Sequence, residues 1–216
     1  KRLGLGELLD FELEEEKPGL IPDERWKLSN IGSKWQPGET VVASIGQGYI
    51  QTTPLQLAVM TARLINGGYA VKPWLANYVG DFERPPKSWP TINLNQRHLN
   101  LILKGMNRVV NGLNGTARGS RIYEDGMSMG GKTGTAQVRR ITQAQRAAGT
   151  KQEDLPWRHR HHALFVGYAP VDNPVYVCST VVEHGIGGSA TAAPLTRDIL
   201  LKTQQLDPAS AEIFKA

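Results

Sequence analysis

A single cysteine, Cys178, is all the thiol chemistry that the 216 residues hold. One cysteine excludes an internal disulfide and any metal site built on thiolates. Its place in the apolar run VYVCSTVV (175–182) is that of a small buried hydrophobe on a strand. No apolar run approaches the roughly 20 residues that cross a bilayer, and the first residues, KRLGLGELLDF, are not a signal peptide. The chain has no internal repeat, no low-complexity tract, and no RNP, zinc-finger or basic-heptad pattern. The net charge is only +5 and the pI about 9.4, an excess that a solvated surface accounts for without a nucleic-acid partner.

What is present is globular. With 40% hydrophobic and 21% charged residues, the chain can build one fair-sized core. The first forty residues are charged and punctuated by glycine and proline. Glu14-Glu15-Glu16 reads as a solvated segment, and Pro18 and Pro22 favour a small lobe or irregular connection over a long helix. The stretch TTPLQLAVMTARLINGG predicts a helix: Thr53 can cap, Pro54 suits the first helical position, and Gln56 can reach back as in a capping box. Leu57, Ala58, Met60, Thr61, Leu64 and Ile65 keep its apolar stripe, and Gly67-Gly68 stop it.

Beyond a loop rich in proline and tryptophan, Leu99, Ile102, Leu103, Met106, Val109, Val110 and Leu113 predict a second helix that Asn114-Gly115 end. The period then changes. MSMGGKTGTAQV (127–138), HALFVGYAPV (162–171) and VYVCSTVVE (175–183) read as strands. The polar turn Val171-Asp172-Asn173-Pro174 makes the last two an antiparallel hairpin. A long basic insertion (139–161) separates the first two, and a final helix spans 192 to 206 with Pro194 in its first turn.

The segment GMSMGGKTGTAQV matches three motifs at once. Gly126 to Thr133 fits G-x-x-x-x-G-K-T, the phosphate loop, and Gly126 to Gly130 fits G-x-S-x-G, the nucleophile elbow. Both require an apolar strand before the glycines and a helix after them. Here the preceding residues are SRIYED, and TGTAQV after the lysine favours a strand. The third match, Lys132-Thr133-Gly134, asks for a strand, which is what the pattern supplies. On a strand Lys132 and Gly134 share one face and Thr133 takes the other. The lysine offers positive charge to a substrate carboxylate, the hydroxyls of Thr133 and Thr135 can donate to it, and Gly134 lets a substrate backbone come close. A free strand edge can bind an extended peptide as one further strand.

Other blocks appear in a fixed order: Gly46-Gln47-Gly48, Thr53-Pro54-Leu55-Gln56-Leu57-Ala58, Asn66-Gly67-Gly68, Gly115-Thr116-Ala117, Lys132 to Gln137, Phe165-Val166-Gly167-Tyr168-Ala169-Pro170 and Ala192-Ala193-Pro194. In this order they resemble the class B penicillin-binding proteins over nearly the whole chain. LGLGE…KPGLIP resembles that family's connecting segment, with Glu14 to Glu16 as a departure. The insertion resembles the elongation-type members of rod-shaped Gram-negative bacteria.

The resemblance implies an α/β (α+β) fold of the penicillin-binding transpeptidase and serine β-lactamase type, an antiparallel sheet flanked by helices, incomplete in this chain. It implies a serine D,D-transpeptidase that cross-links peptidoglycan stem peptides during elongation, without a cofactor or metal, and that β-lactams acylate. It assigns Lys132 and Thr135 catalytic roles and gives Thr133, Gly134 and Thr135 the substrate. Lys132 would bridge the second-motif serine and the substrate carboxylate, and the Thr135 amide would form half of an oxyanion hole. Implied partners are a membrane glycosyltransferase and other elongation-complex proteins. The implied location is the periplasmic side of the bacterial inner membrane, reached through an N-terminal anchor.

The family's S-x-x-K and S-x-N are absent: none of the nine serines has lysine three residues on. Residues 1–216 are thus expected to be the C-terminal portion of one transpeptidase domain, with nucleophile, anchor and dimerisation module upstream. A transpeptidase-like scaffold that has lost its serine is the alternative. His159, His161 and His162 split between the faces of a strand and read as surface or packing residues at its start, with no fourth zinc ligand evident. The basic residues Arg139, Arg140, Arg146, Lys151, Arg158 and Arg160 read as a solvated loop or a contact for glycan or protein.

Overall fold

Capping sets the first helices. Asp23 Oδ1 accepts the Trp26 amide at 2.8 Å and opens α1 (Glu24–Ile31), which Gly32 closes at φ 75° by donating to Leu28 O. Pro37 and a Gln36/Glu39 capping box open α2 (Pro37–Ser44). Buried Lys27 donates to Glu39 Oε2 at 2.6 Å; that bond and the Gln36 amide hold the Glu39 carboxyl below its ordinary range. The computed structural model describes residues 1–12, 14–76, 78–83, 88–139, 143 and 147–210. They form two compact units, residues 1–63 with 69–92 and residues 64–68 with 93–216.

The first unit is a lobe of short elements, in keeping with its prolines. α3 (Pro54–Ile65) begins as its sequence predicts. The Gln56 amide donates to Thr53 Oγ1 and the Thr53 amide to Gln56 Oε1, both at 3.1 Å. Gln56 also does what no local pattern announces. It is fully buried, and its Nε2 donates to Glu7 O (2.9 Å) and Pro18 O (2.8 Å), fastening the irregular N-terminal segment to α3. Glu14 and Glu15 are exposed as expected, but Glu16 is not simply solvated: its carboxylate accepts the Leu9 and Phe11 amides. A two-stranded ribbon, β1 (Tyr78–Val79) with β2 (Phe82–Glu83), lies in the Pro/Trp loop that carries no strand signal.

The second unit holds the sheet. Asn95 Oδ1 caps α4 (Gln96–Asn111), which buries Leu99, Met106 and Val110. The helix ends three residues before the expected stop, because Gly112 turns to an extended conformation while donating to Arg108 O. Leu113, placed on the core stripe by its spacing, is therefore 82% exposed. Three antiparallel strands follow in the spatial order β3 (Gly130–Ala136), β4 (His162–Ala169), β5 (Tyr176–Val182). The β4–β5 hairpin forms as predicted, with Ala169 opposite Tyr176. β3 is shorter than the twelve-residue pattern, since Val138 leaves the ladder and its amide donates to His161 Nδ1. A π-helical turn (Gly188–Ala192) leads into α5 (Ala193–Leu206), which therefore starts one residue later than read from the sequence. One core joins Val110, Met129, Phe165, Ala192 and Leu200, so α4 and α5 pack on the sheet. This is the α+β arrangement of an antiparallel sheet flanked by helices. Residues 140–142 and 144–146 of the basic insertion, including Arg140 and Arg146, lie outside the described residues.

Candidate functional site

Gly130, the last glycine of the elbow pattern, and Gly131, the second glycine of the phosphate-loop pattern, are explained by packing. A Cβ on Gly130 would lie 2.7 Å from the Tyr168 ring, and one on Gly131 would lie 2.5 Å from the Phe165 ring. Two bare positions let both buried aromatics of β4 pass close to β3. Lys132 then sits inside a strand and not at a helix start, so the phosphate-loop geometry is absent. Ser128 is followed by that same strand, which removes the strand-turn-helix elbow.

Register fixes the triad. Lys132 faces Val166, Thr133 faces Phe165, Gly134 faces Leu164 and Thr135 faces Ala163. β3 is an edge strand among the described residues, with β4 as its one neighbour. The direction of its peptides follows from Gly188. A Cβ there would lie 2.6 Å from Gly134 O and closer still to Leu164 O. Two carbonyl oxygens that near to one point both lie between β3 and β4, each directed into the ladder. The Gly134 carbonyl therefore points inward, and the Thr135 N–H, on the opposite side of the same planar trans peptide, points to the open edge. By the alternation of an antiparallel ladder, the Thr133 N–H and C=O point outward as well.

Lys132 is exposed, and its Nζ donates to Thr133 O at 2.7 Å, so the ammonium lies beside the open edge. Among the described residues no carboxylate pairs with it. Thr133 is half-buried and Thr135 exposed. The four sequence-assigned residues thus share one edge that offers a cation, two threonines and outward peptide groups. Such a set can hold a carboxylate and stabilise an oxyanion. A cavity of about 530 Å³ at the C-terminal end of α4, lined by Arg108, Val109 and Leu113, and another of about 240 Å³ beside Trp35 and Tyr49 in the first unit do not include these residues.

The histidines serve packing and bonding. His161 is buried; its Nδ1 accepts the Val138 amide, and its own amide donates to Gln152 Oε1. Burial, then the charges of Arg139 and His162, push its imidazole below the ordinary range. His162 Nδ1 accepts the His184 amide at 2.9 Å, and the His184 ring stands between those of His162 and Trp157. Among the described residues no three His, Cys, Asp or Glu side chains gather as a metal site would require. Sequence reasoning missed the Gly185–Gly188 turn against β3. Its only signal is a cluster of glycines after a strand.

Comparison with known proteins identifies the family. The penicillin binding protein transpeptidase domain matches residues 1–201. The chain is 36% identical over 207 residues to the peptidoglycan D,D-transpeptidase MrdA of Haemophilus influenzae, covering 93% of this chain and 31% of that protein. It is 32% identical to the MrdA of Acinetobacter baumannii over 227 residues, covering 96% of this chain and 31% of that protein. The chain thus spans about a third of the length of these relatives. Among solved structures it is similar to Pseudomonas aeruginosa PBP2 in complex with WCK 5153. There the TM-score is 0.77 at 36% identity, over 95% of this chain and 42% of that one. It is also similar to Helicobacter pylori PBP2 in complex with MreC, with a TM-score of 0.78 at 30% identity, over 95% of this chain and 34% of that one. Fold, motif order and likeness converge: the chain belongs to the penicillin-binding protein transpeptidase domain family.

Proposed function

We propose that the full-length protein is a peptidoglycan D,D-transpeptidase, and that residues 1–216 form the C-terminal portion of its transpeptidase domain. The observation that carries this reading is the open β3 edge, with the Lys132 ammonium beside it and the Thr135 N–H directed out of it. A serine supplied by another part of the protein attacks the penultimate D-alanyl carbonyl of a stem peptide. The Thr135 amide stabilises the oxyanion, a contribution of roughly 2.7–4 kcal/mol for one such donor. Collapse breaks the C–N bond, and the terminal D-alanine leaves with the proton. The amine of a neighbouring stem then attacks the ester and frees the serine.

Lys132, Thr133 and Thr135 hold the terminal carboxylate of the donor stem, and Gly134 keeps the strand open to it. β-Lactams enter the same path and stop at the acyl-enzyme. The protein works at the periplasmic face of the inner membrane beside a glycosyltransferase and other elongation proteins. This is in line with the MreC complex of the Helicobacter pylori protein and with a further relative solved in a peptidoglycan synthase complex. Labelling the full-length protein with a fluorescent penicillin tests the proposal. A covalent label that prior treatment with benzylpenicillin prevents is expected; no label at all means a transpeptidase-like scaffold without a working nucleophile.

A further inference from the structure

We propose that Gly188 is a positioning residue that sets the aim of the Thr135 N–H, an inference resting on the proposed oxyanion role of that amide. The loop from Glu183 to Ala192 crosses β3 and β4 where Gly134 faces Leu164. Any side chain at Gly188 would press on Gly134 O, on the Gly134 amide nitrogen at 3.0 Å and on Leu164 O, all of them backbone. Its φ lies outside the left-handed region, so contact, not conformation, requires glycine here.

The loop is the stiffer of the two partners. The Ile186 amide donates to His161 O at 2.8 Å, and Thr191 Oγ1 donates to Gly185 O at 2.7 Å. A Cβ on Gly185 would already touch Val182 and Ala163, and Ala192 and Ala193 are fully buried. Among the described residues β3 is hydrogen-bonded to a neighbouring strand on one side only. A push from Gly188 therefore moves Gly134 O, and Gly134 O and the Thr135 N–H are opposite ends of one rigid plane. Tilting that plane swings the donor away from the oxyanion while leaving the Lys132 ammonium and the threonine hydroxyls in reach of the carboxylate.

The test is acylation of the full-length protein by benzylpenicillin, resolved into the limiting rate constant and the pre-covalent dissociation constant. Gly188→Ala lowers the limiting rate by about 10- to 100-fold, short of the 10²–10³ for a donor lost outright, and shifts the dissociation constant by less than about 3-fold. Two controls sit in the same loop. Gly187→Ala has open space and φ −137°, and leaves both constants unchanged. Gly185→Ala first crowds the Val182 and Ala163 side chains and not the Gly134 peptide, so it lowers the melting temperature without lowering the limiting rate. Should Gly188→Ala not fold, Thr191→Val loosens the same loop without added bulk, and the limiting rate falls at least about 3-fold. A limiting rate equal to that of the wild type in folded Gly188→Ala, or in Thr191→Val where the first does not fold, overturns the inference, as does an equal loss in Gly185→Ala. A wild-type protein that takes no label instead defeats the proposed function beneath it.

Discussion

Lys132 contributes charge rather than packing. Its side chain is exposed, and its one hydrogen bond among the described residues is to the outward carbonyl of Thr133. Lys132→Ala in the full-length protein should slow acylation by roughly 10²–10³, the scale of a lost electrostatic contact in a transition state. Stability should stay within about 0.5 kcal/mol, as for other surface changes. Equal thermal and kinetic damage would mark a structural lysine. Gln56 is the opposite case. It is fully buried and bonds the Thr53 amide and the Glu7 and Pro18 carbonyls. Gln56→Ala should cost about 2–4 kcal/mol, read as a lowered denaturation midpoint, because several buried groups lose partners together.

His161 gives a residue-scale pH effect. The fold holds its pKa below the ordinary value of about 6.5, so the folded state favours the neutral ring. The unfolded chain takes up the proton first as pH falls. This contribution to stability is therefore complete above about pH 6.5 and is lost as pH drops from there through the folded pKa. Protonated Nδ1 can no longer accept from Val138. His161→Asn, whose Oδ1 can accept without titrating, should flatten the fall in melting temperature between about pH 6.5 and 5.

At the scale of elements, α5 and β4 meet through small and large residues in register. A Cβ on Gly167 would lie 3.0 Å from Thr196 and 3.2 Å from Leu200, while Thr196 Oγ1 donates to Thr180 Oγ1 on β5 at 2.7 Å. Leu200 is 1% exposed, so Leu200→Ala should destabilise the protein by about 2–5 kcal/mol in chemical denaturation. The helices and strands with a clear period were legible: α3 with its capping box, the β4–β5 hairpin and α5 fall within a residue or two of their patterns. Elements built by tertiary contact were not. α1, α2 and the β1–β2 ribbon are short, and neither apolar period nor length announces them. The end of α4 was misplaced because Leu113 keeps the spacing of a core position after the backbone has already turned at Gly112.

At the scale of the whole molecule, the 216 residues carry one edge of the proposed reaction site but no S-x-x-K. The chain expressed by itself should form no covalent adduct with benzylpenicillin, measured as intact mass. An adduct on any of its nine serines would refute the assignment of the nucleophile to another part of the protein. The same division marks what the candidate site owes to each level. Lys132, Thr133, Gly134 and Thr135 were named from sequence because hydroxyl, ammonium and missing side chain are local chemistry at fixed spacing. Family membership followed from the order of short blocks along one chain.

Sequence alone determined that a strand would carry the lysine and that a hairpin and a helix would follow, since periodicity and turn chemistry act between near neighbours. Only the tertiary structure decided that this strand lies at an edge and that the Thr135 amide points out of it. It also decided that Gly188, 54 positions beyond Gly134, rests on that peptide. Edge position, peptide direction and close approach are relations between segments far apart in the chain, and a one-dimensional pattern does not encode the distance between them.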